Sequence, residues 1–291
     1  MLPMKIAQIR NSAREIMNNL LLDDGDVITD ILLSHIFGVE RSELFLILDN
    51  EAPKGADIIM NEYISKLATG VPVQYILGEC FFYGLGIEVG PGCFIPRSDT
   101  EVLAHAAIGV INSLSKDGKT VSFADICAGS GCISAAVAAN CKRAEGVALE
   151  LSRKAIVYTE KNLEKYENVT VRRFDALDED DYISLSEIKT FDVLISNPPY
   201  IPTDDIELLS TQVHYEPETA LDGGEDGLRF YRAILRYAPI IMKKEHTILF
   251  EVGIDQADTV RKMMDQSGYT TAVLKDLGGI DRVVLGSNMQ L

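Results

Sequence analysis

The chain has 291 residues, of which 47% are hydrophobic and 24% are charged, which is the balance of an ordinary globular protein. This length leaves room for one large domain or for a large and a small one. The formal net charge is -17, and no run of Lys and Arg stands out. Because nucleic-acid backbones are usually gripped by basic patches, we expect no direct binding of nucleic acid.

The five cysteines are odd in number and show neither Cys-x-x-Cys spacing nor histidines at the spacing of zinc ligands. We therefore expect no disulfide framework and no metal. The amino terminus lacks the apolar core of a signal peptide, and nothing in the sequence approaches the length of a membrane span. These features favour a cytoplasmic protein without a membrane partner, which we expect to be a monomer.

The first quarter of the chain has the periodicity of amphipathic helices. Apolar residues recur at spacings of three and four between polar turns. This pattern predicts helices over Met4–Leu22, Asp26–Phe37, Ser42–Leu48 and Ala56–Leu67. We interpret residues 1–75 as a small helical bundle, which could dock a partner or serve as a passive cap.

Residues 76–95 are interpreted as a linker, in which aromatic and β-branched residues between glycines predict a β-hairpin over Glu79–Gly92. The residues that follow, 96–291, form the main domain. Near its start, Ser98 and Glu101 have the Ser-x-x-Glu spacing of a capping box, in which the two side chains bond each other's free backbone amides. A helix should begin there.

Beyond that helix, strand-like apolar runs alternate with helical stretches, which is typical of parallel strands joined by right-handed crossovers. The predicted strands are Val121–Ile126, Gly146–Leu149, Val169–Arg173, Phe191–Ile195 and Thr247–Glu251, and the predicted helices span 131–142, 152–166, 226–238 and 255–267. Two last strands, Thr270–Leu274 and Arg282–Leu285, have too short a link for a crossover and should be antiparallel. An open α/β sheet of this kind binds ligands beyond the carboxyl ends of its strands.

The first of these strands ends in Cys127-Ala128-Gly129-Ser130-Gly131. The two glycines allow a ligand to approach the backbone closely, and the following helix directs free amides at it. A dinucleotide fingerprint would have a third glycine where Ser134 stands, so a bound pyrophosphate is not favoured. The loop could also be only a tight turn between strand and helix.

Acidic residues follow the next two strands. Glu150 is placed to accept hydrogen bonds from ribose hydroxyls, although it could instead be a solvated residue beside Ser152. Asp175 is placed to accept the amino hydrogens of adenine. Together with the glycine loop, these residues suggest a nucleoside ligand without a phosphate site.

The fourth strand runs into Asn197-Pro198-Pro199-Tyr200, a segment that two prolines stiffen. The side-chain oxygen of Asn197 and the carbonyl of Pro198 can both accept hydrogen bonds from one planar NH2 group. The ring of Tyr200 can lie against the flat group that carries it. The segment therefore predicts a pocket for an amide or an aromatic amine.

Asn-Pro-Pro-Tyr after such a strand resembles the class I S-adenosylmethionine-dependent methyltransferases that modify planar nitrogens. Over nearly its whole length the chain is similar to the peptide chain release factor N5-glutamine methyltransferases, the HemK/PrmC family. The similarity rests on five runs, Gly70 to Gly78, Phe94 to Glu101, Asp125 to Ile133, Ser196 to Ile201 and Glu216 to Leu221. The chain departs from the family at Ser98, Cys127-Ala128, Glu150 and Ala176, where Pro, Gly-Thr, Asp and an aromatic residue are common.

The resemblance implies a Rossmann-like methyltransferase domain and methyl transfer from S-adenosylmethionine to the side-chain nitrogen of glutamine in the Gly-Gly-Gln motif of release factors. S-adenosylhomocysteine would be the product, and the helical bundle would help to dock the release factor. Catalysis would rest on Asn197, Pro198 and Tyr200, with Pro199 also at the substrate. The cofactor would contact Cys127, Ala128, Gly129, Ser130, Gly131, Glu150, Asp175, Asn197 and Arg97.

Several roles stay open at this level. Arg97 could contact cofactor or substrate, or could form a surface salt bridge, and Glu251 could face the cleft or cap a turn. The stretch 203–227 is a candidate loop for covering the substrate. The alternatives to the favoured function are an amino-methyltransferase of nucleic acids, a nicotinamide oxidoreductase and a non-catalytic adaptor.

Overall fold

The computed structural model describes residues 4–20 and 24–289. The described residues up to Gly78, together with Thr211–Tyr215, form one compact unit, and the remaining described residues form a second. The packing thus places the hairpin residues with the second unit. The division into domains at 1–75, 76–95 and 96–291 stays a prediction.

The first unit is built from short helices, α1 (Ile6–Asn19), α2 (Gly25–Phe37), α3 (Leu44–Ile47), α4 (Ala56–Ala68) and α5 (Val73–Leu77). The four predicted helical regions are confirmed, while the predicted end of the first helix at Leu22 lies outside the described residues. The helix α5 was not predicted. The helices bury one stripe each in a shared core, which includes Ile9, Met17, Leu32, Leu44, Met60 and Leu67.

A segment from far along the chain completes this unit. The hydroxyl of Tyr215 donates a hydrogen bond to the carbonyl of Thr69 at 2.8 Å. A Cβ atom on Gly70 would lie 2.7 Å from the side chain of Thr211, so that glycine lets the segment approach the backbone.

The second unit begins with a two-stranded antiparallel hairpin, β1 (Glu79–Phe82) and β2 (Leu85–Glu88), as predicted. The helix α6 (Thr100–Leu114) follows. The predicted capping box at its start is wrong, because Asp99 is the capping residue and no side chain caps the first turn. The carboxylate of Glu101 instead accepts a hydrogen bond of 2.8 Å from the backbone N–H of Tyr83. The hairpin turn provides a donor that the local sequence pattern does not reveal.

The main sheet has seven strands, β3 (Val121–Ile126), β4 (Ala144–Glu150), β5 (Val169–Arg173), β6 (Phe191–Ser196), β7 (Met242–Glu251), β8 (Thr270–Lys275) and β9 (Asp281–Ser287). Their order is β5-β4-β3-β6-β7-β9-β8. The first five in the chain pair in parallel, and β9 pairs antiparallel with both β7 and β8. The predicted sheet, including its antiparallel end, is confirmed. The strand order reverses at β3, so the ends of β3, β4 and β6 border the expected ligand crevice.

Five further helices connect the strands, α7 (Cys132–Asn140), α8 (Arg153–Leu163), α9 (Glu179–Ser186), α10 (Arg229–Ile241) and α11 (Ala257–Gln266). The short helix α9 was not predicted. Alternate residues of the central strands, among them Ile126, Leu194 and Phe250, join the side chains of α9, α10 and α11 in one buried cluster. The strands β3 and β6 are buried at every position, as expected for strands that helices cover on both faces.

A buried carboxylate ties the sheet together near the start of β6. Asp192 is 1% exposed and accepts hydrogen bonds from Lys119 and Lys243, both at 2.7 Å. It also accepts from the backbone N–H and the hydroxyl of Ser122, both at 2.8 Å. Burial alone would raise the pKa of Asp192, but these bonds outweigh burial and hold the pKa well below its usual range.

Candidate active site

The loop after β3 has its two glycines in the left-handed region, with φ of 57° at Gly129 and 78° at Gly131. A Cβ atom on Gly129 would meet no atom within 4 Å, whereas one on Gly131 would lie 2.9 Å from Thr159. Gly129 therefore leaves room for a ligand at the strand end, and Gly131 allows α8 to pack closely. The two glycines have different physical roles, although the sequence presents them as one motif.

Cys127 adopts a left-handed backbone conformation with φ of 61°, which is unusual for a residue with a side chain. Its side chain is packed against the core, and burial raises the pKa of this thiol well above its usual range. Glycine, which is common in the family at this position, would adopt this backbone conformation without strain, whereas Cys127 does not.

Two variants measure that strain. Cys127→Gly and Cys127→Ala both remove the thiol, but only alanine keeps a Cβ atom in the left-handed conformation. We expect the glycine variant to be more stable than the alanine variant by about 1 kcal/mol in chemical denaturation.

The matched control is Cys141, which is buried but has an extended backbone with φ of -123°. At that position alanine should be the more stable of the two variants, because glycine only adds freedom to the unfolded chain. Equal stability of the two Cys127 variants would contradict the expectation.

Asp125 explains why serine stands at the third glycine position. The carboxylate of this fully buried residue accepts hydrogen bonds from the backbone N–H of Ser134 at 3.1 Å and from its hydroxyl at 2.7 Å. Burial raises the pKa of Asp125 to about 7 against these two bonds. Ser134 therefore anchors α7 to β3, a role that the glycine spacing did not predict.

Glu150 lies beside the glycine loop. Its carboxylate accepts hydrogen bonds from the backbone N–H of Gly129 at 2.8 Å and from that of Ser152 at 2.7 Å. Burial raises the pKa of Glu150, while the same amides oppose the rise. These two bonds hold the carboxylate in a defined orientation, so Glu150 is not the freely solvated side chain that the sequence left as an alternative.

Asp175 organises the turn after β5. Its carboxylate accepts a hydrogen bond of 2.9 Å from the backbone N–H of Leu177, and its own N–H donates to Asp181 at 2.6 Å. Ala176 points into the core cluster with Phe174 and Tyr182, where an aromatic side chain would need more space. The predicted contact of Asp175 with adenine stays a prediction.

The segment Asn197-Pro198-Pro199-Tyr200 follows β6, with both prolines buried. The carbonyl of Tyr200 accepts a hydrogen bond from the side chain of Gln256 at 2.9 Å. Burial raises the pKa of the Tyr200 hydroxyl, so this side chain stays neutral. Two segments hold this turn in place, the chain that follows it and the start of α11.

The loop before α10 packs against this turn. Ile201 exchanges backbone hydrogen bonds with Leu221 and Gly223, at 3.0 and 2.8 Å. A Cβ atom on Gly223 would lie 2.8 Å from the Cα of Tyr200, and one on Gly227 would lie 2.3 Å from its carbonyl oxygen. The sequence marked these glycines only as part of a long loop, and its predicted role in covering a substrate stays a prediction.

The amide of Asn197 is oriented by residues from two other elements. Its Nδ2 donates to the hydroxyl of Thr100 at 3.2 Å. Glu251, which is 2% exposed, faces the side chains of Thr100 and Asn197, and its buried Oε2 has no hydrogen-bond partner among the described residues. Of the two alternatives for Glu251, the structure thus supports the one that faces the cleft. Thr100 is a site residue that the sequence did not predict.

Arg97 forms the salt bridge that was one of its two alternatives. Its guanidinium pairs with Glu216, which is buried and also accepts a hydrogen bond of 2.9 Å from the N–H of Ile95. The guanidinium lies 4.8 Å from the ring centre of Phe94. A contact between Arg97 and the cofactor stays a prediction.

Within residues 4–20 and 24–289, no group of three or more His, Cys, Asp or Glu side chains has the arrangement of a metal site. In the same part of the chain, no helix is both long enough and apolar enough to cross a membrane.

Comparison with known proteins places this chain in a family. Residues 8–78 match the model of the PrmC N-terminal domain, and residues 103–216 match that of the methyltransferase small domain. The chain is 38% identical over 263 residues to the release factor glutamine methyltransferase of Geobacter sulfurreducens, which covers 89% of this chain and 88% of that protein. The chain belongs to the release factor glutamine methyltransferase family.

Other members of the release factor glutamine methyltransferase family are similar over the same extent. The Thermodesulfovibrio yellowstonii protein is 34% identical over 258 residues, with 87% of this chain and 89% of that protein covered. The Bacillus subtilis protein is 34% identical over 262 residues, with 88% of each chain covered. The resemblance drawn from the sequence is confirmed.

Solved structures agree on the fold. The human methyltransferase 10 domain containing protein matches with a TM-score of 0.52 at 16% identity, over 72% of this chain and 90% of that one. The catalytic domain of hMettl16, in complex with MAT2A 3'UTR hairpin 6, matches with a TM-score of 0.53 at 14% identity, over 81% of this chain and 83% of that one. At such identities the likeness concerns the methyltransferase fold alone, and the predicted fold class is confirmed.

Proposed function

We propose that this chain transfers a methyl group from S-adenosylmethionine to the side-chain amide nitrogen of the glutamine in the Gly-Gly-Gln motif of peptide chain release factors. The observation that carries the proposal is the Asn197 amide, whose nitrogen donates to Thr100 and whose oxygen has no donor among the described residues, so that it can accept from a substrate. The adjacent Pro198 adds a carbonyl acceptor. Two neighbouring acceptors match the two hydrogens of one carboxamide.

The residues at the strand ends fit an adenosyl cofactor. The open space at Gly129 allows close approach, and the Glu150 carboxylate, held by two amides, can accept hydrogen bonds from vicinal hydroxyls. Cys127, Ala128, Ser130 and Gly131 would line the same loop, and Asp175 would receive the adenine amino group. When bound, S-adenosylmethionine supplies a methyl group attached to a positively charged sulfur. No part of the proposal needs a metal.

The protein's own contribution to this reaction is positioning. Asn197 and Pro198 would hold the NH2 group with its face toward the methyl donor, and Tyr200 and Pro199 would fix the amide plane and exclude water. Alignment of a bound pair can supply roughly 7–11 kcal/mol of a barrier. Each hydrogen bond that the substrate NH2 group donates would add about 1–3 kcal/mol as positive charge develops on its nitrogen. No strong general base is required, because the proton becomes acidic only as the new bond forms.

The relatives support a release factor as the substrate, because they are named release factor glutamine methyltransferases. Their similarity extends over nearly the full length of this chain. The helical bundle of residues 1–75 would dock it, and the enzyme would act in the cytoplasm as a monomer. A nucleic-acid substrate would require a basic approach surface, which a net charge of -17 does not favour.

The proposal is tested with purified enzyme, S-adenosylmethionine and a release factor. Mass spectrometry should show the gain of one methyl group on the peptide that carries Gly-Gly-Gln, and no gain when that glutamine is replaced by glutamate. Parallel reactions with tRNA and rRNA and a radioactive methyl donor should leave the nucleic acids unlabelled. Label in RNA but not in the release factor would reject the proposed substrate.

The cofactor assignment has its own test. We expect Glu150→Ala to raise the Kd for S-adenosylmethionine by about 10- to 100-fold, the effect of losing one or two hydrogen bonds to a carboxylate. Isothermal titration calorimetry measures this change. Glu145→Ala, on the same strand but pairing with Lys189 at the surface, is the matched control and should leave the Kd unchanged. A normal Kd for the Glu150 variant would remove Glu150 from the cofactor site.

A further inference from the structure

An asparagine side chain has two chemically different ends of nearly equal shape. Its oxygen accepts hydrogen bonds and its nitrogen donates them, so a half-turn of the amide would exchange an acceptor for a donor. The role proposed for Asn197 needs its side-chain oxygen to face the substrate. A reversed amide would instead turn the Asn197 NH2 group toward the NH2 group of the substrate, and two donors cannot bond each other. Something in the protein must therefore select one orientation.

The surroundings of Asn197 supply that selection. Thr100, the first residue of α6, is 2% exposed, and so is Glu251, the last residue of β7. The Asn197 Nδ2 donates to the Thr100 hydroxyl at 3.2 Å, and Glu251 faces both side chains with a buried Oε2 that has no hydrogen-bond partner among the described residues. An ionised carboxylate can only accept, so this unpartnered oxygen attracts the single hydrogen of the Thr100 hydroxyl. The lone pairs of that hydroxyl are then left to accept from Asn197.

With this arrangement a reversed Asn197 would place its oxygen against two other oxygens. We propose that Thr100 and Glu251 are positioning residues. They hold the Asn197 amide with its nitrogen toward α6 and its oxygen toward the substrate amide that receives the methyl group. The inference rests on the function proposed above, which supplies the need for an acceptor at this point. Neither residue touches the substrate, because both act through Asn197.

The charge on Glu251 adds a further consequence. Burial raises its pKa to about 7, against the opposing effect of the neighbouring Thr100, Arg282 and Asn197 side chains. The other groups that face it are Asp99, Tyr200 and Tyr231. A protonated Glu251 could donate to the Asn197 oxygen and stabilise the reversed amide. The transfer rate should therefore fall as the pH drops through neutrality.

The first test compares two substitutions of Thr100. Valine keeps the shape but loses the hydroxyl, whereas serine keeps the hydroxyl. We expect Thr100→Val to lower kcat by at least about tenfold, with an unchanged Kd for S-adenosylmethionine, and Thr100→Ser to restore most of the rate. Thr247→Val is the matched control, because Thr247 is buried on the same strand as Glu251 and bonds only Ser287 at 3.3 Å. Equal kcat values for the Val and Ser variants would overturn the inference.

The second test uses Glu251→Gln, whose amide can donate as well as accept. We expect its kcat to be lower by about tenfold or more and to lose the acid-side pH dependence near neutrality that the wild type shows. A normal kcat, or an unchanged acid limb in this variant, would overturn the inference. A parallel loss of cofactor affinity would also do so, because it would indicate general damage to the cleft.

A third measurement needs no substrate and separates this inference from the proposed function. In NMR spectra, the side-chain NH2 of Asn197, assigned through its loss in Asn197→Asp, should be protected from hydrogen exchange in the wild type and in Thr100→Ser. It should be unprotected in Thr100→Val. Failure of the wild type to methylate a release factor would reject the substrate alone, whereas equal protection in all three proteins would reject the positioning role.

Discussion

Replacing Asn197 with alanine lowers the rate of methyl transfer by about 10²–10³-fold, the usual effect of removing one preorganised hydrogen-bonding group from an active site. The expectation follows from the position of the Asn197 amide, whose nitrogen donates to Thr100 while its oxygen has no hydrogen-bond donor within residues 4–20 and 24–289, as the proposed substrate role requires. The cofactor should still bind with a Kd within a few-fold of the wild-type value. Single-turnover kinetics with a release factor, together with calorimetry, measures both quantities.

The matched control for this variant is Asn140→Ala. The Asn140 side chain bonds a carbonyl of its own helix, Ala136, at 2.8 Å, so its loss should leave transfer unchanged. If Asn197→Ala turned over at a rate near that of the wild type, the role of its oxygen as a substrate acceptor would have to be abandoned. If both asparagine variants lost activity together, the cause would be a loss of folded protein.

The second large effect is expected on stability. Asp192→Ala should lower the free energy of unfolding by about 3 kcal/mol, because it removes a buried carboxylate and leaves the N–H of Ser122 without its acceptor. Lys119 and Lys243 are partly exposed and can turn to solvent, which keeps the loss below that of a fully buried pair. Urea denaturation at neutral pH measures the difference.

The contribution of Asp192 should also depend on pH in a defined direction. Its pKa is lower in the folded than in the unfolded protein, so its stabilisation is complete above the ordinary carboxyl pKa of about 3.9. The stabilisation is lost as the pH falls further, toward the folded-state value. The gap between wild type and Asp192→Ala should therefore be constant near neutrality and shrink below about pH 4.

Asp258→Ala provides the comparison. Asp258 pairs with Arg261 and Lys262 on the exposed face of α11, and solvent screening leaves such pairs with little net effect on stability. Its removal should leave the free energy of unfolding nearly unchanged. An equally small change for Asp192→Ala would show that the buried carboxylate does not hold β6 to its neighbours.

Much of the architecture could be predicted from local patterns. The strands Val121–Ile126 and Val169–Arg173 were predicted with their observed bounds, because strands buried by helices appear in sequence as short apolar or β-branched runs. The antiparallel end of the sheet followed from the short link before Arg282. The helices α5 and α9 were missed, since only five and eight residues carry too little periodicity to be distinguished from loops.

The chemistry of the strand ends could also be anticipated. Glu150 is the last residue of a strand, Gly129 and Asn197 follow strands, and parallel strands bring their carboxyl ends to one edge of the sheet. The roles of these residues toward cofactor and substrate stay predictions. The capping box at Ser98 failed because the backbone amide of Tyr83, 18 residues away, competes for the Glu101 carboxylate.

By itself the sequence determined the strands, the longer helices, the antiparallel end of the sheet and the residues at its ligand-binding edge, because all of these depend on short-range patterns. Only the tertiary structure decided that Asn197 donates to Thr100 across 97 residues and that Glu216 pairs with Arg97 across 119. Such partners come from separate elements, and no periodicity or spacing relates them along the chain. They become neighbours because the burial of the sheet between its helices brings the ends of distant elements together.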